Sequence, residues 1–195
     1  IPISKILKEL SVLKFDFDIL SNHFFKNIYE AQKIYSLESK KNPVYLLAKY
    51  IHKKIPIIYA DSSTLSVVAK RIKGQIAENS KMLAYQSDLP EFNHNEIVGW
   101  ANNENLINNF IIIWLKDPKD HKRVKFRQKI SKEIFDEIGI KQYSIEKKDS
   151  SYEERFLHMI HFGDWLSYWC AILHNTDPTP VINIDRIKNS LNNLK

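Results

Sequence analysis

The chain has 195 residues, of which 44% are apolar, and a net charge of +6. That length supports one substantial core, and that composition excludes a disordered segment. A single cysteine, Cys170, excludes an internal disulfide framework and a Cys-rich zinc site, and no apolar run approaches the roughly 20 residues needed to span a bilayer. A cytoplasmic protein without a membrane partner is the expectation.

The chain opens Ile1-Pro2-Ile3, which reads as an internal start with neither an initiator methionine nor a signal-peptide pattern. Ile6, Leu7, Leu10 and Leu13 share one face of a helix predicted over 4–14. Ile19, Leu20, Phe24, Ile28, Ala31 and Tyr35 repeat the spacing over 17–38. These two helices form a lead-in, 1–42, that packs on the domain that follows, 43–195. Pro43 stands in the first turn of a third helix, after Asn42.

Ile55 to Ala60 is a short apolar run, expected as a buried parallel strand. The turn Asp61-Ser62-Ser63-Thr64 then leads into a helix through Ile76, completing the first half of a βαβ unit. Ligands gather at the carboxyl ends of strands in such units, and Ser62 is a candidate anion contact there. The turn has no glycine, so helix capping by Asp61 or Ser62 is the favoured reading. Lys81 to Tyr85 is predicted as the second strand, and Asn93 as the N-cap of a short helix ending near Trp100.

Asn109 to Leu115 is apolar enough to be central, and a helix from about Asp120 to Ile138 closes on Gly139. Gln142 to Ile145 is a fourth strand, flanked by charge and therefore nearer an edge. Tyr152 to His174 is a long apolar helix, ended by Asp177-Pro178-Thr179-Pro180. A last helix from about Ile184 carries Lys188. Strands alternating with helices define an α/β fold, a three-layer αβα sandwich on a mainly parallel, flavodoxin-like sheet.

The positive charge is spread over many segments. Its densest run, His121 to Arg127, falls on a helix and reads as a solvated face, so no nucleic-acid partner is expected. Glu78 ends the helix after the first strand, where the dipole disfavours a carboxylate by a few tenths to about 1 kcal/mol. It is either an exposed residue that tolerates the cost or a base whose pKa is nudged upward. His158 and His161 lack a third ligand at matching spacing, so no metal or other cofactor is expected.

Leu89 to Trp100, with Pro90-Glu91-Phe92-Asn93-His94-Asn95-Glu96 at its centre, resembles the Pro-Glu-x-Asn-His-Asn-Glu signature of the bifunctional phosphoglucose/phosphomannose isomerases. Glu78-Asn79-Ser80-Lys81 is similar to that family's Asn-Glu-Asn-Ala/Ser-Lys segment, and Gly163-Asp164 with Ser167-Tyr168 to its Gly-Asp-x-x-Ser-Tyr helix. Asp177 to Val181, with Ile184 and Lys188 behind it, resembles its C-terminal ending. The resemblance implies the C-terminal sugar isomerase (SIS) domain of an enzyme that converts glucose 6-phosphate and mannose 6-phosphate to fructose 6-phosphate through a cis-enediol.

By the resemblance Glu78 is the catalytic base. His94 assists ring opening in the partner subunit's site, which implies a homodimer. Lys188 shares the ring opening, and Thr179 leaves room for the mannose isomer. Ser62 and Asn93 complete the candidate substrate contacts. The chain departs from the family in three places. No Ser/Thr-rich phosphate loop of an N-terminal SIS domain is present, Ile3 follows Pro2 where a Pro-Arg pair is expected, and Tyr59-Ala60-Asp61-Ser62 replaces a glycine-containing turn. Charge stabilisation is usually a large catalytic contribution. The isolated chain is therefore expected to be weakly active or inactive, and a non-catalytic sugar-phosphate-binding SIS module is the alternative.

Overall fold

A computed structural model describes residues 2–12, 17–148 and 150–194. Two helices lead in, α1 (Pro2–Glu9) and α2 (Phe17–Tyr35), followed by α3 (Pro43–Ile51). Asn42 caps α3, its side chain accepting from the Val44 and Tyr45 amides, with Pro43 in the first turn. The same Asn42 amide donates to the Tyr35 and Leu37 carbonyls, so one buried side chain ties the end of α2 to the start of α3. The expected contributions of Leu13, Ile19 and Leu20 lie outside what is described.

The rest alternates strand and helix: β1 (Ile55–Asp61), α4 (Ser66–Ser80), β2 (Tyr85–Leu89), a 3-10 turn, α5 (Glu96–Gly99), β3 (Phe110–Lys116), α6 (Lys122–Glu137), β4 (Gln142–Glu146), α7 (Tyr152–Leu173) and α8 (Ile182–Asn192). The four strands are all parallel, in the order β2-β1-β3-β4. Ile57 stands opposite both Tyr85 and Ile112, and Ile113 opposite Tyr143. β1 and β3 are central and buried on both faces, which explains their uninterrupted apolar runs. β4 is an edge strand, as its charged flanks imply.

Alternation along the central strands divides the core. Ile58 and Ala60 of β1, with Ile111, Ile113 and Leu115 of β3, face α3, α4 and α7. Ile57 and Tyr59, with Ile112 and Trp114, face α6 and the segment around α5, where Phe92 and Phe135 stack with Tyr59 and Trp100 stands edge-on to Phe135. The result is the three-layer sandwich.

The second strand is displaced from its expected place. Residues 81–84 are not a strand: Lys81 adopts a left-handed conformation (φ 56) that ends α4, and the chain then crosses toward the sheet. Met82 and Ala84 are buried in this crossing, which is why the stretch reads as a strand. The strand is Tyr85–Leu89, whose polar Gln86, Ser87 and Asp88 are tolerated because β2 is the other edge. The helix after β1 also begins without the expected side-chain cap from Asp61 or Ser62. Asp61 is buried and accepts from Ser63 Oγ instead, and the Ser62 amide donates to the Leu89 carbonyl.

Candidate functional site

Because all strands run one way, each connecting helix returns its C-terminus to the amino edge of the sheet. Glu78 lies in the last turn of α4 and is therefore at that edge. It is exposed, and its carboxylate has no hydrogen-bond or ion-pair partner among the described residues. α7 returns to the same edge and delivers the segment 174–181. The two meet in an open cleft of about 600 Å³, lined by Glu78, Lys81, Thr176, Asp177, Pro180 and the start of α8.

Lys81 fixes this meeting. Its ammonium donates to the Glu78 carbonyl at 2.7 Å, one of the unpaired carbonyls at the end of α4, and to the Pro178 carbonyl at 3.3 Å. The Thr179 amide donates to Asp177 Oδ1 at 2.9 Å, closing a tight turn. That bond is the main reason the Asp177 carboxyl lies below its ordinary range. Thr179 itself is exposed on the turn. Lys188 is exposed on α8, beyond the first turn that lines the cleft.

A seam between α4 and α7 sets where Glu78 stands. Gly163 lets the helices touch, since a Cβ there would overlap Ile72 Cγ1. Arg71 pairs with Asp164 at 3.2 Å at the surface. One turn further toward the amino edge, Asn79 donates to Ser167 Oγ at 2.8 Å, and Ser167 donates to the Asp164 carbonyl. The Gly163-Asp164-x-x-Ser167 motif is thus a docking strip for α4, and its serine holds the neighbour of Glu78. The motif is visible in the sequence; this use of it is not. The periodic apolar face of α4, in line with Ile72 and Ile76, is the signal that could have found it.

The carboxyl edge has a different character. Arg155 grips Asp117 through two bonds of 2.9 Å, both side chains being buried. Asp120 accepts from Thr64 Oγ1 and from the Asp117 amide. Burial raises the Asp120 carboxyl above its usual range. Tyr152, in the first turn of α7, donates to the Thr64 carbonyl. The crevice between β1 and β3, where the strand order reverses, is the usual ligand position in open α/β sheets. Here it is filled by groups that satisfy one another.

His94 and Asn93 also belong to this edge, because they follow β2. Four residue steps along β2, roughly 13 Å at about 3.3 Å per residue, separate the end near Glu78 from the end near His94. His94 is exposed at the end of a 3-10 turn, Glu91–Asn93, that follows a cis Leu89-Pro90 peptide. Asn93 is not the N-cap of the short helix; Asn95 is, accepting from the Glu96 amide. Asn93 instead donates to Ser131 Oγ at 2.8 Å and holds the turn against α6. The structure therefore brings Glu78 together with the Thr179 turn, and sets His94, Asn93 and Ser62 at the opposite edge of the same chain.

The two helical histidines are packing groups. His161 stacks on Tyr35 at 5.7 Å, and His158 lies 6.4 Å from the same ring. Burial lowers both imidazoles, His158 to about 4. Among the described residues no group of three or more His, Cys, Asp or Glu is placed to hold a metal, and no helix is long and apolar enough to cross a membrane.

The doubly wound parallel sheet is the fold of a SIS-type domain. Solved structures share it: a glucose-6-phosphate isomerase like protein from Thermus thermophilus superposes with a TM-score of 0.64 at 16% identity, over 78% of this chain and 51% of that one. The C-terminal domain of glucosamine-fructose-6-phosphate aminotransferase from Francisella tularensis does so with 0.59 at 14%, over 80% and 44%. Residues 40–191 match the bacterial phospho-glucose isomerase C-terminal SIS domain, and the chain belongs to that family. The bifunctional phosphoglucose/phosphomannose isomerase of Aquifex aeolicus is 39% identical over 97% of this chain and 56% of its own length. That of Caldicellulosiruptor bescii is 40% identical over 80% of this chain and 46% of its own. The chain thus spans about half the length of these relatives.

Proposed function

We propose that this chain is the C-terminal half of an aldose-ketose isomerase that converts glucose 6-phosphate and mannose 6-phosphate to fructose 6-phosphate. The observation that carries the reading is the unpartnered Glu78 carboxylate at the mouth of the amino-edge cleft. A general base needs access to a carbon-bound proton and no competing ion pair. Glu78 takes the proton from C2 of the open-chain aldose, the electrons form the C1–C2 double bond and move onto O1, a proton passes from O2 to O1 through the cis-enediol, and the same carboxylate returns its proton at C1 as O2 becomes the ketose carbonyl. Glucose and mannose phosphates differ only at C2, so one enediol serves both.

Lys188 assists ring opening from α8, and Thr179 shapes the space beside C2. His94 assists ring opening in the site of a second copy, a division of labour supported by its position at the edge opposite Glu78. The exposed apolar face of α8, with Ile184, Ile187 and Leu191, suits burial against another SIS unit. The enzyme is a homodimer of the cytoplasm acting in glycolysis and gluconeogenesis. Phosphate binding and the charge that stabilises the enediolate come from a second SIS domain, consistent with the length of the relatives.

A coupled assay of fructose 6-phosphate formation from each aldose tests this, with the full-length gene product and its Glu78→Gln variant. Turnover of both substrates and a fall of about 10²–10⁴ in kcat for the variant are expected. Undiminished turnover in Glu78→Gln removes the assigned base. No turnover by the folded full-length protein leaves a sugar-phosphate-binding module, a reading favoured by Ile3 in place of the expected arginine and by the altered turn at Ala60-Asp61.

A further inference from the structure

A second cleft of about 570 Å³ opens at the carboxyl edge, between α6 and β4 and away from Glu78. Five lysines line it: Lys116, Lys125, Lys129, Lys132 and Lys148. Two are offset by carboxylates, Lys129 by Glu133 at 3.8 Å and Lys148 by Glu146 at 3.6 Å. The other three have no carboxylate within ion-pair distance among the described residues. Lys125 donates to the Pro118 carbonyl at 2.6 Å and Lys132 to Ser144 Oγ at 3.0 Å, bonds that orient both toward the cleft without neutralising them. The remaining acid, Asp117, is already committed to Arg155. The cleft therefore keeps an unbalanced positive charge.

Its floor adds an independent observation. Gln128 is 1% exposed, lines the cleft, and has neither its amide oxygen nor its amide nitrogen hydrogen-bonded among the described residues. Leaving both groups unmet in the interior is costly, and such groups call for a partner. An exposed patch of lysines would need no such residue beneath it. The volume is that of a small-molecule site. Lysine stems are flexible, so those around the cleft can move toward an anion.

We propose that this cleft binds a small phosphate monoester that also carries hydroxyl groups. Lys116, Lys125 and Lys132 meet the phosphate oxygens, and the Gln128 amide meets a hydroxyl, donating through Nε2 and accepting through Oε1. The site is separate from the Glu78 cleft and does not depend on the isomerase reading.

Titration of the isotopically labelled chain with glycerol 3-phosphate, followed by heteronuclear NMR, tests the assignment. Saturable shifts of the Gln128 side-chain amide and of the Lys116 and Lys132 backbone amides are expected. The paired substitution Lys116→Met with Lys132→Met weakens binding at least tenfold, while Lys70→Met with Lys73→Met, two exposed lysines of α4, changes it less than twofold. Gln128→Leu melts no lower than the parent chain, weakens glycerol 3-phosphate at least threefold and leaves inorganic phosphate unaffected. Non-saturable shifts, equal loss in the α4 control, or glycerol 3-phosphate binding that ignores Gln128→Leu would each overturn the proposal.

Discussion

At the carboxyl edge of the sheet, Arg155, Asp117 and Asp120 are buried, half-buried Thr64 bonds Asp120, and their polar atoms are largely satisfied. At the amino edge, Glu78 stands exposed at an open cleft, with Thr179 exposed on the turn beside it. Both edges carry charge, but they use it oppositely. A desolvated pair with good geometry holds its place rigidly and offers little to a ligand. A solvated carboxylate contributes little to stability and remains available as a base. The usual ligand position of the fold is thus occupied by structure, and the candidate chemistry moves to the other end of the helices.

The largest expected effect tests whether the two edges of different subunits are joined. In full-length protein, Glu78→Gln and His94→Ala chains are each nearly inactive alone. Mixed and refolded together, they regain roughly a quarter of the parent turnover, because random pairing gives mixed dimers with one intact site each. No recovery on mixing, with dimers verified by light scattering, would place Glu78 and His94 in sites within one chain or deny His94 a role.

Breaking the closed edge comes next. Asp117→Ala leaves Arg155 buried without its partner and should cost about 3–5 kcal/mol in chemical denaturation. Glu78→Gln should change stability by less than about 0.5 kcal/mol, as for an ordinary surface position. Comparable losses in the two variants would erase the distinction drawn between the edges.

Acid should loosen the α2–α7 contact. His158 is held to about 4 when folded and titrates near 6.5 when unfolded. The unfolded chain therefore binds more protons between those values, so stability is full above about pH 6.5 and falls as pH drops toward 4. The loss from His158 is up to about 3 kcal/mol. His161 shifts in the same direction. His158→Leu should flatten the dependence of the melting temperature on pH over this window, and an unchanged slope would assign it to other groups.

The smallest effect concerns the seam that carries Glu78. Gly163→Ala places a methyl group against Ile72 and should cost about 1–3 kcal/mol by overpacking. Because the seam also positions α4, turnover should fall with it, and Ile72→Ala in the same chain should restore part of both. A drop in stability with unchanged turnover would mean that Glu78 does not depend on this packing.

The helices and the two central strands were legible because burial on both faces forces apolar runs such as Ile111 to Leu115, and because Asn42-Pro43 and Gly139 mark helix ends by local chemistry. β2 was misplaced by about one strand length, since an edge strand tolerates Gln86, Ser87 and Asp88, while Met82 and Ala84 are buried in a connection. Asn93 has the residue type of a cap. Only the neighbouring helix shows that it bonds Ser131.

The sequence by itself determined the alternation of strand and helix, and hence the layered class, through hydrophobic period and local capping that act over a few residues. It also carried the motifs around Glu78, His94 and Gly163. Tertiary structure alone decided which of them meet. Glu78 reaches the 176–181 segment across about a hundred positions because parallel strands send every helix back to one edge. Arg155 finds Asp117 at the other edge for the same reason, and no local pattern records either encounter.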